Sequence, residues 1–231
     1  MKKMLKSAIV YVVIIMLFSI ISLAFSCFSR ETLSNYNGYT IVVDAGHGGR
    51  DGGSVGVNGT VEKEVNLKYA LKLKDKLVNM GYKVILTRKD DDGLYSNLAP
   101  NKKISDLNKR MEIIKNANPN LMVSIHMNSF SDRAAKGAVT YYRVDDGPSK
   151  MVGDYVQKSL KVNCGARWEQ AKTGDYYILN SSYYTSILVE CGFLSNPDEE
   201  RMLNSEDYCD RVVNSIAQGI GLYFGFISEE V

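Results

Sequence analysis

The chain has 231 residues, 45% of them apolar, with 19 Gly and 4 Pro; this suits one globular domain with a full core and excludes a disordered or fibrous chain. Formal net charge is +2, but Lys2, Lys3 and Lys6 lie ahead of the first apolar run, and setting them aside leaves 25 basic against 26 acidic residues. A near-neutral body gives no electrostatic case for nucleic acid as a partner, since that binding needs clustered Lys and Arg.

The first predicted segment is residues 1–28. Three lysines precede a largely apolar run from Ala8 to Phe28, long enough for a helix to cross a bilayer core of ~30 Å. The flanking positive charges should stay inside, which exports everything after Arg30. Ser22-Leu23-Ala24 also resembles a cleavage site, so the segment is read as a removable signal peptide or a membrane anchor. Residues 29–38, "SRETLSNYNG", are a polar linker, and residues 39–231 form one domain.

Within that domain "YTIVVDAG" reads as a buried strand ending in a glycine cluster, and "VEKEVNLKYALKLKDKLVNMG" as a helix with Leu67, Ala70, Leu73 and Leu77 on one face, stopped by Gly81. "YKVILTR" is a second strand. "ISDLNKRMEIIKNANPN" is a helix that Ser105 could cap, and "LMVSIH" is a third strand. "GAVTYYR" is a fourth strand, "SKMVGDYVQKSLKV" a helix, and "YYILN" and "SILVECG" are two more strands. Asn196, Pro197 and Glu199 form a helix-start signal, with Glu199 able to reach back to the cap. The last helix carries a core-facing stripe of Val213, Ile216, Ala217 and Ile220. Alternating strands and helices give an α/β fold: a single domain with a mostly parallel or mixed central sheet and helices on both faces.

The chain contains 2 His, and each ends an apolar strand: His47 after "IVVDAG" and His126 after "LMVSI". Carboxyl ends of strands are where open α/β sheets bind ligands, so the pair points to a shared site. Two imidazoles alone make a poor metal site. Glu62 follows the glycine loop in the first helical turn, and two His with one Glu suit Zn²⁺ with a fourth position open to water. Glu64 has the same claim by position, and acidic residues are common in first turns because they complement the helix dipole. Glu190 closes the apolar strand "SILVE", where a buried carboxylate suits acid–base duty; the structural alternative pairs it with a buried arginine such as Arg88 or Arg110.

Cys191 offers a rival thiolate nucleophile, with Cys164 a weaker one, but strand alternation turns Cys191 away from any site that Glu190 faces. With Cys27 in the leading segment, Cys164, Cys191 and Cys209 are an odd number without CxxC spacing, which argues against a disulfide framework. The glycine loop fits neither nucleotide motif: Asp51 stands where GxGxxG needs its third glycine, and the P-loop lysine is missing. Bare backbone around His47 instead leaves room beside a metal-bound imidazole.

"IVVDAGHGG", "EKEVNL", "VSIHMNS" and "ILVECGFLSNPDEE", in that order, resemble the zinc-dependent N-acetylmuramoyl-L-alanine amidases of bacterial cell walls, over roughly residues 38–226. The resemblance implies one zinc ion held by His47, Glu62 and His126, so it selects Glu62 over Glu64, and Glu190 as catalytic acid/base. It implies peptidoglycan glycan strands and stem peptides as substrate, and it leaves room for an accessory protein. "LTR" at 86–88 and the Leu107–Arg110 pair are also family-like. Ala45, Ile114-Lys115 and Pro119-Asn120 depart from the usual pattern, and the proline and basic residue frequent before the catalytic Glu are missing. A membrane segment followed by one domain without wall-binding repeats is most similar to the germination-specific members, which act on spore cortex and permit muramic lactam formation. Asp44 is expected to support a metal-bound histidine, and Asn128 to contact substrate. A zinc carboxypeptidase and a wall-binding protein with a dead site are the competing readings.

Overall fold

Three apolar, β-branched runs build the middle of the domain. β1 (Thr40–Ala45), β3 (Leu121–Asn128) and β6 (Ser186–Phe193) lie side by side in parallel, buried on both faces, as their nearly unbroken apolar sequences require. β2 (Lys83–Leu86) adds a parallel edge beside β1. On the other side β4 (Val139–Tyr142) runs antiparallel to β6, and β5 (Lys172–Thr173) closes the edge parallel to β4. The order β2-β1-β3-β6-β4-β5 makes a mixed six-stranded sheet. This is a computed structural model; it describes residues 14–20, 22 and 36–226, and it divides into two units, 1–37 and 38–231. Most of the expected leader and linker lies outside the described residues. Residues 14–20 are helical, and no helix among the described residues is long and apolar enough to cross a membrane.

Alternation along the strands divides the core in two. Ile41, Val43, Val123, Ile125, Ile187, Val189 and Cys191 join the larger core, where α1 (Glu62–Asn79), α3 (Gly147–Cys164) and α6 (Glu206–Tyr223) pack. Val42, Met122 and Leu188 enter the smaller core under α2 (Lys102–Ala117) and α4 (Tyr177–Asn180). Cys191 is therefore fully buried away from Glu190, and all three described cysteines are free thiols. The stripe on α6 is buried as expected. On α1 the buried apolar positions are Val65, Tyr69, Ala70, Leu73 and Leu77, with Leu67 at the margin.

Three local expectations change. "YYILN" is a helical turn, α4, preceded by the short edge strand β5: Ile178 and Leu179 are consecutive and both buried, which a half-exposed strand cannot arrange. Asn101, not Ser105, caps α2 by accepting from the Ile104 N–H at 3.0 Å, and the Ser105 hydroxyl takes the Ser96 N–H instead. Asn196 does cap α5 (Pro197–Asn204), yet Glu199 does not reach back to it. Its carboxylate accepts from the Gly137 and Phe193 N–H groups, both at 2.8 Å, and so satisfies backbone donors just before β4 and at the end of β6.

Candidate metal centre and active-site cleft

The carboxyl ends of β1, β3 and β6 meet at one edge, and the loop after β1 decides what happens there. His47 has φ 60°, a left-handed backbone that few non-glycine residues adopt. Two buried guanidinium groups hold it. Arg110 donates to the carbonyls of Ala45 and His47, and Arg88 to those of Ala45 and Gly46 (both 3.0 Å) and of Lys63 (2.7 Å). These arginines therefore lock three successive carbonyls and do not pair with Glu190, contrary to the structural alternative for that residue.

Glu62 opens α1, and its own peptide closes the loop onto the helix. The Glu62 and Lys63 N–H groups donate to the Ser54 and Gly52 carbonyls, and the Ser54 N–H donates back to Glu62 Oε2 at 2.8 Å. Its Oε1 lies 3.2 Å from His47 Nε2 and 3.0 Å from His126 Nδ1, and accepts from Asn66 Nδ2 at 3.3 Å. The register shift in β3 between His126 and Asn128 turns the Met127 N–H to the same oxygen, 3.3 Å away. Burial would raise the Glu62 pKa, but the two imidazoles outweigh it and hold the carboxyl well below its usual range. Glu64 points to solvent. One donor atom each from His47, Glu62 and His126 lies within 4.8 Å of the others, a trio able to hold a single metal ion. Two imidazoles and a carboxylate are a donor set of the kind zinc takes.

The glycines have a narrower task than open space. A Cβ on Gly46 would lie 2.2 Å from His126 Cε1, and one on Gly53, at φ 68°, would lie 2.5 Å from Glu62 Oε2. Only bare backbone lets the two rings and the carboxylate close together.

Glu190 sits beside the trio, paired in register with His126 on one side and Val139 on the other. It is buried, its Oε2 has no hydrogen-bond partner, and the Tyr176 phenol is near enough to favour the charged carboxylate slightly. Burial pushes its pKa up to about 7; the nearby His126 opposes that and the Glu62 charge adds to it. Asp44, expected to support a histidine, does not. Its position in β1 turns it toward α2, where it accepts from Thr87 and Arg110 (2.7 and 2.6 Å) and from Ser124 at 2.6 Å. Asp51 is the carboxylate nearest that ring, with an oxygen at ion-pair distance, 2.9 Å from His47 Nδ1, though outside hydrogen-bond alignment. The trio opens on a cleft of about 500 Å³ lined by the glycine loop, α2 and the segment Asp175–Ile178.

Residues 41–221 match the family model described as N-acetylmuramoyl-L-alanine amidase. The chain belongs to the N-acetylmuramoyl-L-alanine amidase family. It is 35% identical over 196 residues to the germination-specific N-acetylmuramoyl-L-alanine amidase of Bacillus subtilis, covering 81% of each chain. The CwlD amidase of Clostridioides difficile, solved in complex with the GerS lipoprotein, superposes with a TM-score of 0.77 at 37% identity, covering 82% of this chain and 100% of that one. The catalytic domain of CwlV from Bacillus (Paenibacillus) polymyxa var. colistinus gives 0.71 at 33% identity, with 81% and 98% covered. Membership makes the chain a peptidoglycan amidase, acting in or near the cell wall.

Within that family frame, four contributors escaped the reading of the sequence. Asn66, one helical turn after Glu62, bridges Glu62 and the Gly46 carbonyl; its spacing from Glu62 was the available signal. Asp51 lies four residues past His47 in the same loop. Glu200, buried, accepts from the Asn58 and Thr60 N–H groups at 2.7 and 3.1 Å and so fixes the turn that leads into α1. Nothing in the sequence marked it above its neighbour Glu199, nor Tyr176 above the other tyrosines.

Proposed function

We propose that this chain is an exported, zinc-dependent amidase that hydrolyses the bond between the lactyl carbonyl of N-acetylmuramic acid and the L-alanine of the stem peptide. The observation that carries this reading is the convergence of His47, Glu62 and His126 beside a buried carboxylate that has an unpaired oxygen. His47, Glu62 and His126 are the zinc ligands. Bound there, zinc supplies Lewis acidity and lowers the pKa of water to about 7. The two arginine clamps hold the backbone from which the His47 ring projects, and the Asp51 charge, 2.9 Å from its Nδ1, supports the ring electrostatically. Glu190 accepts the proton of the attacking water and delivers it to the departing alanine nitrogen. The water oxygen ends on the lactyl carbonyl carbon, the C–N bond breaks, and the stem peptide leaves with a free amine. Tyr176, close to Glu190, favours the charged form of the carboxylate that receives the proton.

Glu190→Gln tests that assignment. It should bind zinc as the parent chain does and release stem peptide from sacculi at least about a thousandfold more slowly, read by fragment mass. Unimpaired release would move proton transfer to another group, and cuts within the peptide would favour a carboxypeptidase.

The physiological setting is the spore cortex, reached through the N-terminal segment as signal or anchor. The likeness to a germination-specific relative supports it, and the GerS complex of a structural neighbour supports an accessory partner. Spores formed without this chain should lack muramic lactam in their cortex; normal lactam content would assign it to general wall turnover.

A further inference from the structure

The charged groups that line the cleft are engaged unevenly. Asp44 and Asp106 hold Arg110, Asp51 faces His47 and the Gly53 N–H, and Asp175 accepts from the Asn180 amide at 2.6 Å. Lys102 lies over the Tyr95 ring, 5.1 Å from its centroid, and donates to the Asn97 carbonyl. Arg50 and Lys103 are different. Both are exposed on the cleft wall, and neither has a carboxylate within ion-pair distance among the described residues. Arg50 follows His47 by three residues, and Lys103 is close enough to Asp51 for that carboxylate to feel its charge. The glycine loop and the start of α2 thus present two cations without an ion pair on one wall, beside the candidate trio, Lys103 sharing only a longer-range attraction with Asp51.

The amide named above, on which this inference rests, joins two chemically unlike parts. The N-acetylated glycan is uncharged, whereas a stem peptide carries carboxylates. Cations without an ion pair suit the peptide and offer the sugar nothing that neutral donors would not. We propose that Arg50 and Lys103 recognise a stem-peptide carboxylate, so that the peptide lies along the α2 wall and free-acid stems are selected over amidated ones.

The test uses the full-length zinc-loaded chain and two muramyl peptides that differ only in bearing free carboxylates or carboxamides. Wild type should cleave the free-acid form with about tenfold higher kcat/KM, and Arg50→Gln/Lys103→Gln should bring that ratio close to one. Added salt should reduce the wild-type ratio in the same direction. Equal rates for both substrates in wild type, or a ratio that survives in the double variant, would overturn the proposal. A second readout does not need turnover. The released free-acid stem peptide should bind wild type about tenfold more tightly than the double variant, measured by calorimetry. Equal binding would also overturn it. Failure of the amidase reading would show differently, as no cleavage of either substrate, with the binding comparison still deciding recognition.

Discussion

At Gly46 the backbone passes so close to the His126 ring that even a methyl group has no room. The constraint is unusual because the obstructing atoms belong to a side chain of the candidate metal trio, held from behind by Glu62. Gly46→Ala must therefore push the imidazole away from the trio. A displaced ligand should weaken zinc binding by about ten- to hundredfold, measured by competition with a chromogenic chelator. Unchanged affinity would mean that the loop yields and the ring does not. Gly53 has the same logic with Glu62 as the obstructed group, compounded by its left-handed φ.

Between elements, the decisive contact joins α2 to β1. Arg110 meets Asp44 at 2.6 Å with both side chains almost wholly buried, and it also meets Asp106 and two carbonyls of the His47 loop. Removing one member of such a pair leaves an uncompensated charge, so Asp44→Asn should destabilise the fold by about 3 kcal/mol in urea titrations. Burial raises the Asp44 pKa, but the Arg110 charge with the Ser124 and Thr87 hydroxyls more than offsets it, leaving the folded value below the ordinary one. The sign follows. The contribution is full above the unfolded value of ~3.9 and disappears as pH falls through the lower folded value. The gap between wild type and Asp44→Asn should accordingly narrow under acid; a constant gap would assign the effect to lost hydrogen bonds alone.

For the molecule as a whole, the three side chains of the candidate metal site come from the loop after β1, α1 and β3, so a bound ion would tie the glycine loop, the first helix and the sheet together. A ligand that binds only the folded chain stabilises it by mass action. Zinc at a hundredfold its Kd should add about 2.7 kcal/mol and raise Tm by roughly 5–10 °C, and a chelator should reverse the gain. A Tm indifferent to zinc would separate the trio from metal binding. The same spread of ligands explains why no short fragment of the chain should bind zinc tightly.

By itself the sequence determined most of the alternation of strands and helices, a mostly parallel or mixed sheet and the strand ends that carry His47, His126 and Glu190, because hydrophobic periodicity and glycine clusters are local signals. It also placed Cys191 on the face opposite Glu190, since strand alternation has only two outcomes. Spacing could not choose between Glu62 and Glu64; the resemblance did, and burial of Glu62 at the loop agrees. Tertiary structure alone decided that Asp51 faces His47 while Asp44 turns to Arg110, that Arg88 and Arg110 clamp backbone carbonyls, and that "YYILN" coils into a turn. Each of those outcomes depends on which partner arrives from a distant part of the chain, and a short apolar or charged stretch has no means of naming that partner.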